Sequence, residues 1–582
     1  MTLSKATLTI VLSRLLTLTA LAVVISAQVV AAQPAKLDKT FAALRNTEKR
    51  LGPNAIVSGG ARSLFAFARN WETTKAGFAK LATAKTQAQV LSALTKGAVS
   101  GPLDLSITRL VGFTENESST AWCGKNVVIG FNDTGSVLET IPPTTAGVAL
   151  LGYSVSTDKG TSFTDKGFPT LTSDSSGTLG FDQVFTCTSA SNFYFSSLYN
   201  TSTETAVTVS SSSDGGQTFG TPVVVSSASN GGVPAGNVGH FFDGDWMAVN
   251  PANPQQLFVT YTNDDFTGGR CGVGVFGNGI ELVWSNDGGA TWSSPAVVTE
   301  TCETAPGKGP VVEFSEVAVD PASSTVYVTW EDVGAVVAFP SLPRAVDIAK
   351  ANIPGTLVPP SFGSPVKVSD INYAGMFDSL PPFGEAAAIV QILQGRILTF
   401  EHPKLAIGKG PKNAGVLYVV WNDGDHPVPD LFSATASYQF SDILFASSAD
   451  AGATWSAPVK VNNSSADGTP AHPFTDEFHP ALATDKTGKI GVCYYDRSND
   501  PRNFLIGRTC AFSTAGNKWK NIRIQSPGGP SIVNQDDIII SLHNWLGDYE
   551  ALASDSLNQS AGFIGGYTDT SAGYQNIREN KF

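Results

Sequence analysis

Two nonapeptides, "HFFDGDWMA" from His240 and "HNWLGDYEA" from His543, present the same side chains in the same order: an imidazole, a carboxylate five residues on, then an aromatic ring. Imidazole and carboxylate can take up or release a proton, and a ring offers a face on which a ligand stacks. Asp245 and Asp548 are therefore candidate acid–base groups, and His240, His543, Trp246 and Tyr549 candidate ligand contacts. Related segments follow at Ser315 ("SEVAVDP"), His402 ("HPKLAIG") and His479 ("HPALATD"). Aligned on Ala248, Ala318, Lys404, Ala481 and Ala551, the five form two rows. One row is Asp245, Ser315, Glu401, Phe478 and Asp548; the next is Trp246, Glu316, His402, His479 and Tyr549. This adds Glu316 to the candidate catalytic carboxylates and His402 and His479 to the candidate contacts. The competing reading is that Gly-Asp-aromatic is a turn device and the histidines are merely hydrated.

A second cluster, "YYDRSNDPRN" over Tyr494–Asn503, gathers two tyrosines, two acids and two arginines. Tyr494 is its candidate nucleophile and Arg497 its candidate anion contact; the plainer reading is a charged hairpin tip. Whether a metal binds is unknown from sequence. No CxxC or CxxH spacing suggests zinc. Calcium is a candidate for "NDGDHP" at Asn422 and "NDD" at Asn263, although neither has the spacing of a dedicated calcium loop. No other cofactor is implied.

Such residues meet only if a repetitive scaffold positions them, and the chain is repetitive. An aromatic, any residue, then Asp or Asn closes a β-rich run at Phe131, Tyr261, Trp330, Trp421, Tyr494 and Tyr567, with a degraded copy near Phe195. A strand with alternating apolar residues precedes each, and the octets "SNDGGATW" (Ser285–Trp292) and "SADAGATW" (Ser448–Trp455) recur as turns further on. Four strands per ~65–70 residues predict an all-β, seven-bladed β-propeller, with six blades as the alternative. Residues 333–390 read as a Pro-rich insertion. The last repeat ends fifteen residues after Tyr567, so "GPLDLSITRL" (Gly101–Leu110) is expected to supply its missing strand and close the ring.

The octet resembles the Asp-box, S-x-D-x-G-x-T-W, of the bacterial neuraminidase repeat. It is well formed at Asp287 and Asp450, with variants at Asp158 and Asp214 and a worn copy ending at Trp519. The resemblance to sialidase-superfamily propellers covers about 480 residues. It implies Asp-box hairpins on the outer edge of each blade, where Asp accepts backbone N–H groups and Gly takes positive φ. Sialidases grip their substrate's carboxylate with three arginines and use a Tyr nucleophile paired with Glu. Their Arg-Ile-Pro hallmark is absent here, Arg109 in "ITRLVGF" being the nearest candidate. Arg270, Arg497 and Arg578 are the others that could reach a mouth. The resemblance therefore implies a propeller that binds a glycan or extracellular protein at its central mouth, with a sialidase-like glycoside hydrolase or other carbohydrate-active enzyme as the alternative.

Residues 1–32 read as a signal peptide, with Lys5 and Arg14 before an apolar run and cleavage after Ala32. No stable membrane insertion is expected after cleavage, and the destination is secreted, periplasmic or cell-surface. Six cysteines in an exported chain predict disulfides. Fifteen pairings are possible; the one favoured joins Cys493 with Cys510, which sit symmetrically about a hairpin, and Cys271 with Cys302, which bracket one repeat, leaving Cys123 with Cys187. Residues 33–100 form a basic segment with Leu64, Phe67, Trp71, Phe78 and Leu81 at helical spacing. Within it, residues 36–98 hold eleven Lys/Arg against three acids; with Lys5 and Arg14 counted, residues 99–582 carry −23 of the total −13. An acidic body excludes nucleic acid as a partner. The basic segment is expected to dock on the propeller, residues 101–582, as a clamp or a removable pro-segment.

Overall fold

The computed structural model describes residues 37–52, 57–81, 114–140, 147–172, 174, 176–232, 238–303, 309–334, 344–353, 355–378, 390–395, 397–429, 437–462, 474–529, 545–571 and 575–582. The expected signal peptide, the expected closing strand Gly101–Leu110, Arg109 and His543 lie outside them.

Seven sheets surround one axis, antiparallel except where Val148–Ala149 pairs in parallel with Thr178–Leu179 in blade two. Their inner strands are Glu115–Cys123, Val184–Cys187, His240–Asn250, Val312–Val319, Lys404–Ile407, Glu477–Thr484 and Leu552–Ala553. Each inner strand packs against the next, and the last packs against the first. The second strands are Asn126–Asp133, Phe193–Asn200, Asn253–Asp265, Thr325–Asp332, Leu417–Pro429, Ile490–Asp496 and Ile564–Asp569. The aromatic-x-Asp motifs lie on these strands. Their rings fill the gaps between blades: Trp330 is buried between blades three and four, Trp421 between four and five, and Tyr494 between five and six. Blade seven has three described strands, ending with Asn576–Lys581. Ile564 and Ile577 of this blade pack on Trp122, Ile129 and Phe131 of blade one, so an apolar seam joins the ends of the ring.

Two sequence expectations need correction. About half of the presumed Pro-rich insertion is blade four itself, because Arg344–Asn352 and Val366–Ile371 are its third and fourth strands. The surplus chain forms a separate three-stranded sheet, Met376–Asp378, Val390–Leu393 and Ile397–Leu398, pinned to blade five by a Gly375–Gln439 bridge. In blade two, Val184 pairs with Ser196 after the positive-φ pair Phe181–Asp182, so the aromatic position falls on Ser197, two residues past Phe195, and it is the Phe195 ring, on the same strand face, that fills the gap to blade one.

The octets are turns between third and fourth strands. Asp287 accepts from the Ser285 hydroxyl at 2.7 Å and the Thr291 N–H at 2.9 Å; Asp450 does the same with Ser448 (2.8 Å) and Thr454 (2.9 Å). These donors hold Asp287 down at about 2, chiefly through Thr291. All three disulfides form as paired above: Cys123–Cys187, Cys271–Cys302 and Cys493–Cys510. Cys493 and Cys510 are directly opposed on neighbouring strands.

The basic segment folds as two helices, residues 37–51 and Gly59–Leu81, tied by the Trp71 indole donating to Asp38 at 2.7 Å. Leu64, Phe67 and Trp71 are buried, as their spacing predicts, together with Phe41, Leu44 and Phe65. They share one apolar cluster with Phe181, Phe241, Phe314, Phe400 and Trp545, contributed by several blades. The helices therefore cover the end of the ring where the inner strands begin. Among the described residues, no helix is long and apolar enough to cross a membrane.

Candidate functional site

The inner strands carry a recurring irregularity that aims side chains at the axis. In blades one, three, four and six, two residues of the inner strand bulge opposite the aromatic of the second strand. The first bulged residue has positive φ each time: Glu117 (53°), Gly244 (58°), Phe314 (57°) and His479 (47°). Three of these are not glycine, so four blades accept a conformation that costs about 1–2 kcal/mol per non-glycine residue. After the bulge, one residue per blade pairs with the residue preceding the aromatic: Ser119, Trp246, Glu316, Lys404 and Ala481.

This register corrects the alignment made from sequence. Lys404 and Ala481 belong with Trp246 and Glu316, two residues away from where the pattern alone placed them. A strand's side chains repeat every two residues, so a slip of two leaves the apolar pattern unchanged; only the bulge fixes the frame. His402 and His479 consequently stand one layer nearer the mouth than Trp246 and Glu316.

The two layers still meet. Lys404 Nζ lies 2.8 Å from Glu316 Oε1 and donates to His402 Nε2 at 3.1 Å. The ammonium sits 4.2 Å from the Trp246 ring centroid and 4.9 Å from that of Tyr549. Trp246, His402 and Tyr549 contact one another edge to face at centroid distances of 5.4–6.0 Å. Burial lowers Lys404 from its usual range, with Glu316 opposing, and raises Glu316. Burial and the nearby ammonium push His402 well below the ordinary imidazole range, and burial above all takes His479 to about 3; both rings are neutral at pH 7. Trp246, Glu316, Lys404 and Glu550 line an axial cavity of about 180 Å³. It shares walls with one of about 220 Å³, which in turn adjoins one of about 550 Å³ at the far end of the ring, beside Asn250, Asp320 and Lys409.

Above the girdle lies a nest of carboxylates. Glu117 accepts from Asn132 at 2.7 Å and from the Asp548 N–H at 2.9 Å. Asp548 also accepts from the Trp545 indole at 3.0 Å. Asp182 Oδ2 accepts from the Gly244 N–H at 3.2 Å, and Asp245 is buried beside Ser196. Burial comes first in raising all of them: Asp548 to about 6, and Glu117, Asp182 and Asp245 well above the carboxylate range.

The remaining candidates lie elsewhere. Tyr494 is not at the mouth; its ring is locked between blades five and six with Tyr418, Val420 and Leu482. Its neighbour Tyr495, missed from sequence, donates to Glu550, with the Arg508 guanidinium 4.9 Å from its ring. Strand alternation sends one member of a Tyr-Tyr pair to each face, and sequence could not say which faced Glu550. Arg497 is fully buried, paired with Asp476 at 3.1 Å and donating to the Gln394 carbonyl. His240 sits at the rim, with Nδ1 3.0 Å from Asn263 and Nε2 3.7 Å from Asp265. Arg270 is paired with Glu281 and Arg578 with Asp569, so neither offers a grip for a substrate carboxylate. Among the described residues, no three His, Cys, Asp or Glu side chains group as metal ligands; Asn422 and Asn263 are both buried strand residues.

No protein-family profile matches the chain, and no curated protein matches it. Solved structures similar to it include the GH93 α-L-arabinofuranosidase of Fusarium graminearum bound to arabinobiose, at 14% identity, covering 69% of this chain and 92% of that one with a TM-score of 0.39. A polysaccharide lyase of family PL25, an ulvan lyase, matches at 9% identity over 83% and 93% with a TM-score of 0.40. Trypanosoma rangeli sialidase with the inhibitor DANA matches at 9% identity over 72% and 56% with a TM-score of 0.35. Scores this low leave the chemistry to be argued from this chain's own residues.

Proposed function

We propose that the protein is an exported Asp-box propeller that binds a glycan at its central mouth. The observation carrying this reading is the girdle: Trp246, Glu316 and Lys404 line one axial cavity, and Tyr549 and His402 pack directly on them, so that four blades contribute. Aromatic rings beside a few fixed polar groups are what a sugar needs, since its C–H faces stack on a ring face and its hydroxyls hydrogen-bond. Three disulfides suit an oxidising compartment. Trp246→Ala should weaken binding to a glycan array at least about tenfold, consistent with loss of one buried aromatic anchor, while Tm stays within a few degrees. Equal binding by the variant would overturn the assignment.

Tyr495 and Glu550 favour a second reading, a glycoside hydrolase, because the phenol donates to a carboxylate placed to take its proton, although burial and that charge raise the phenol well above its ordinary range. A panel of fluorogenic glycosides separates the two. Turnover that disappears in Tyr495→Phe or Asp548→Asn establishes the hydrolase; an array hit without turnover on any substrate leaves a binding protein.

A further inference from the structure

We infer that the start of the second helix, Ser58 to Gly60, occupies the mouth as an internal competitor, and that the ligand it stands in for is a neutral or amino sugar and not an acidic one. This rests on the glycan reading above and specifies its ligand class and its control.

Three carboxylates converge on two residues of the segment. The Ser58 N–H donates to Asp243 Oδ2 at 2.7 Å, and the Ser58 hydroxyl donates to Asp243 Oδ1 at 2.6 Å, with Asp182 Oδ2 3.2 Å away. The Gly59 N–H donates to Asp548, from the opposite side of the ring. The same hydroxyl accepts from the Ala61 N–H at 2.9 Å and so caps the helix. One hydroxyl and two N–H groups on adjacent atoms thus do what the neighbouring hydroxyls of a sugar do. Asp182 Oδ1, fully buried and facing Gly60, is left without a donor, as are both oxygens of Asp245. A segment that satisfied the mouth completely would leave no such acceptors; a polyol with more hydroxyls could reach them.

The approach is close enough to require glycine. A Cβ at Gly59 would fall 2.1 Å from Trp545 Nε1 and 2.5 Å from Asp548 Oδ1, and one at Gly60 would fall 2.6 Å from Asp182 Oδ1. Two adjacent glycines begin a helix where ordinary helix propensity would favour neither, which is understandable if their purpose is to enter a narrow opening.

The charge of the opening sets the ligand class. Glu117, Asp182, Asp243, Asp245 and Asp548 crowd it. Arg344 and Arg497 are held by Glu331, Glu401 and Asp476, and Arg508 lies against Tyr495 and Tyr567 with Glu550 as its counter-charge. A sialic or uronic acid would therefore find no free guanidinium for its carboxylate, whereas a neutral sugar exchanges hydrogen bonds with acids that burial raises well above the carboxylate range, and an amino sugar can pair with Asp548, raised only to about 6.

The test compares the full chain with Gly59→Leu, which cannot seat, on an array of neutral oligosaccharides, chitosan oligomers and sialylated or uronate-containing glycans. Amide hydrogen exchange over residues 59–70 reports seating. The expected result is fast exchange in the variant, roughly tenfold tighter binding to neutral or chitosan spots as the competent fraction rises, no acidic-sugar binding, and suppression by an added peptide of residues 57–81. Ser58→Ala, a milder change that keeps the backbone, should move both readouts the same way. Unchanged exchange in both variants would overturn the seating claim. Fast exchange with binding equal to wild type would overturn the competitor while leaving the glycan reading intact, and preferred binding of acidic sugars would overturn the ligand class. Fast exchange with no glycan bound by either protein would sink the glycan reading and this inference with it.

Discussion

Lys404 shows how far a single residue's role depends on what surrounds it. From sequence it was only an alignment anchor; in the structure it is a buried ammonium between two aromatic rings, with one acid as partner. Taking one member from a buried pair strands the other, at a cost of about 3 kcal/mol. Lys404→Met should therefore lower the stability measured by urea unfolding by about that amount. Adding Glu316→Gln should recover most of it, since the remaining acid is then neutral. If the double variant were no more stable than the single one, the ammonium's main work would lie with the rings and not with Glu316.

At the level of elements, the near-identical octets offer an internal control. The fourth position is Gly288 in one (φ 73°) and Ala451 in its twin (φ 58°), so the same left-handed turn is built once with glycine and once against alanine's preference. Ala451→Gly should stabilise the protein by about 1 kcal/mol, part of the gain being reduced by the freer unfolded chain. Gly288→Ala should destabilise by a similar amount, with glycan binding unchanged in both because the turns lie outside the ring. Thermal unfolding of the two variants checks the pair. The inner-strand bulges are the contrary case. They keep Glu117, Phe314 and His479 in the same unfavourable region, and there the strain coincides with the mouth.

The whole molecule concentrates acid where water is scarce, and its stability should show it. Burial raises Asp423 and Asp548 to about 6 and Asp264 and Glu331 to about 8, with several mouth carboxylates shifted the same way. A folded-state pKa above the unfolded one means the folded state holds more protons, so this stability is full below about pH 4 and lost as pH rises through 6 and then 8. His402 and His479 act oppositely: lowered in the folded state, they add stability as pH rises toward about 6.5 and none beyond it. The carboxylates outnumber them, so Tm should fall between pH 5 and pH 8.5, with a shallower slope below about 6.5. A Tm that rises across this range would contradict the raised carboxylates.

The sequence alone determined a repeating β-propeller, with seven blades favoured over six, the octets as turns and the burial of Leu64, Phe67 and Trp71. Each follows from a local rule: a repeat period, a turn's demand for Asp and Gly, or an apolar stripe; the cysteine pairs it suggested from hairpin symmetry became certain only in the folded ring. It also named Trp246, Glu316, His402 and Tyr549, which do converge. Only the tertiary structure decided their layers, because a two-residue slip along a strand leaves every apolar position in place while a bulge does not. Tertiary structure likewise chose Tyr495 over Tyr494 for the axis, turned the presumed insertion into half a blade, and seated Ser58 and Gly59 among carboxylates more than a hundred residues away. Contacts of that range leave no periodic trace in a single chain, and so they become visible only when the ring is closed.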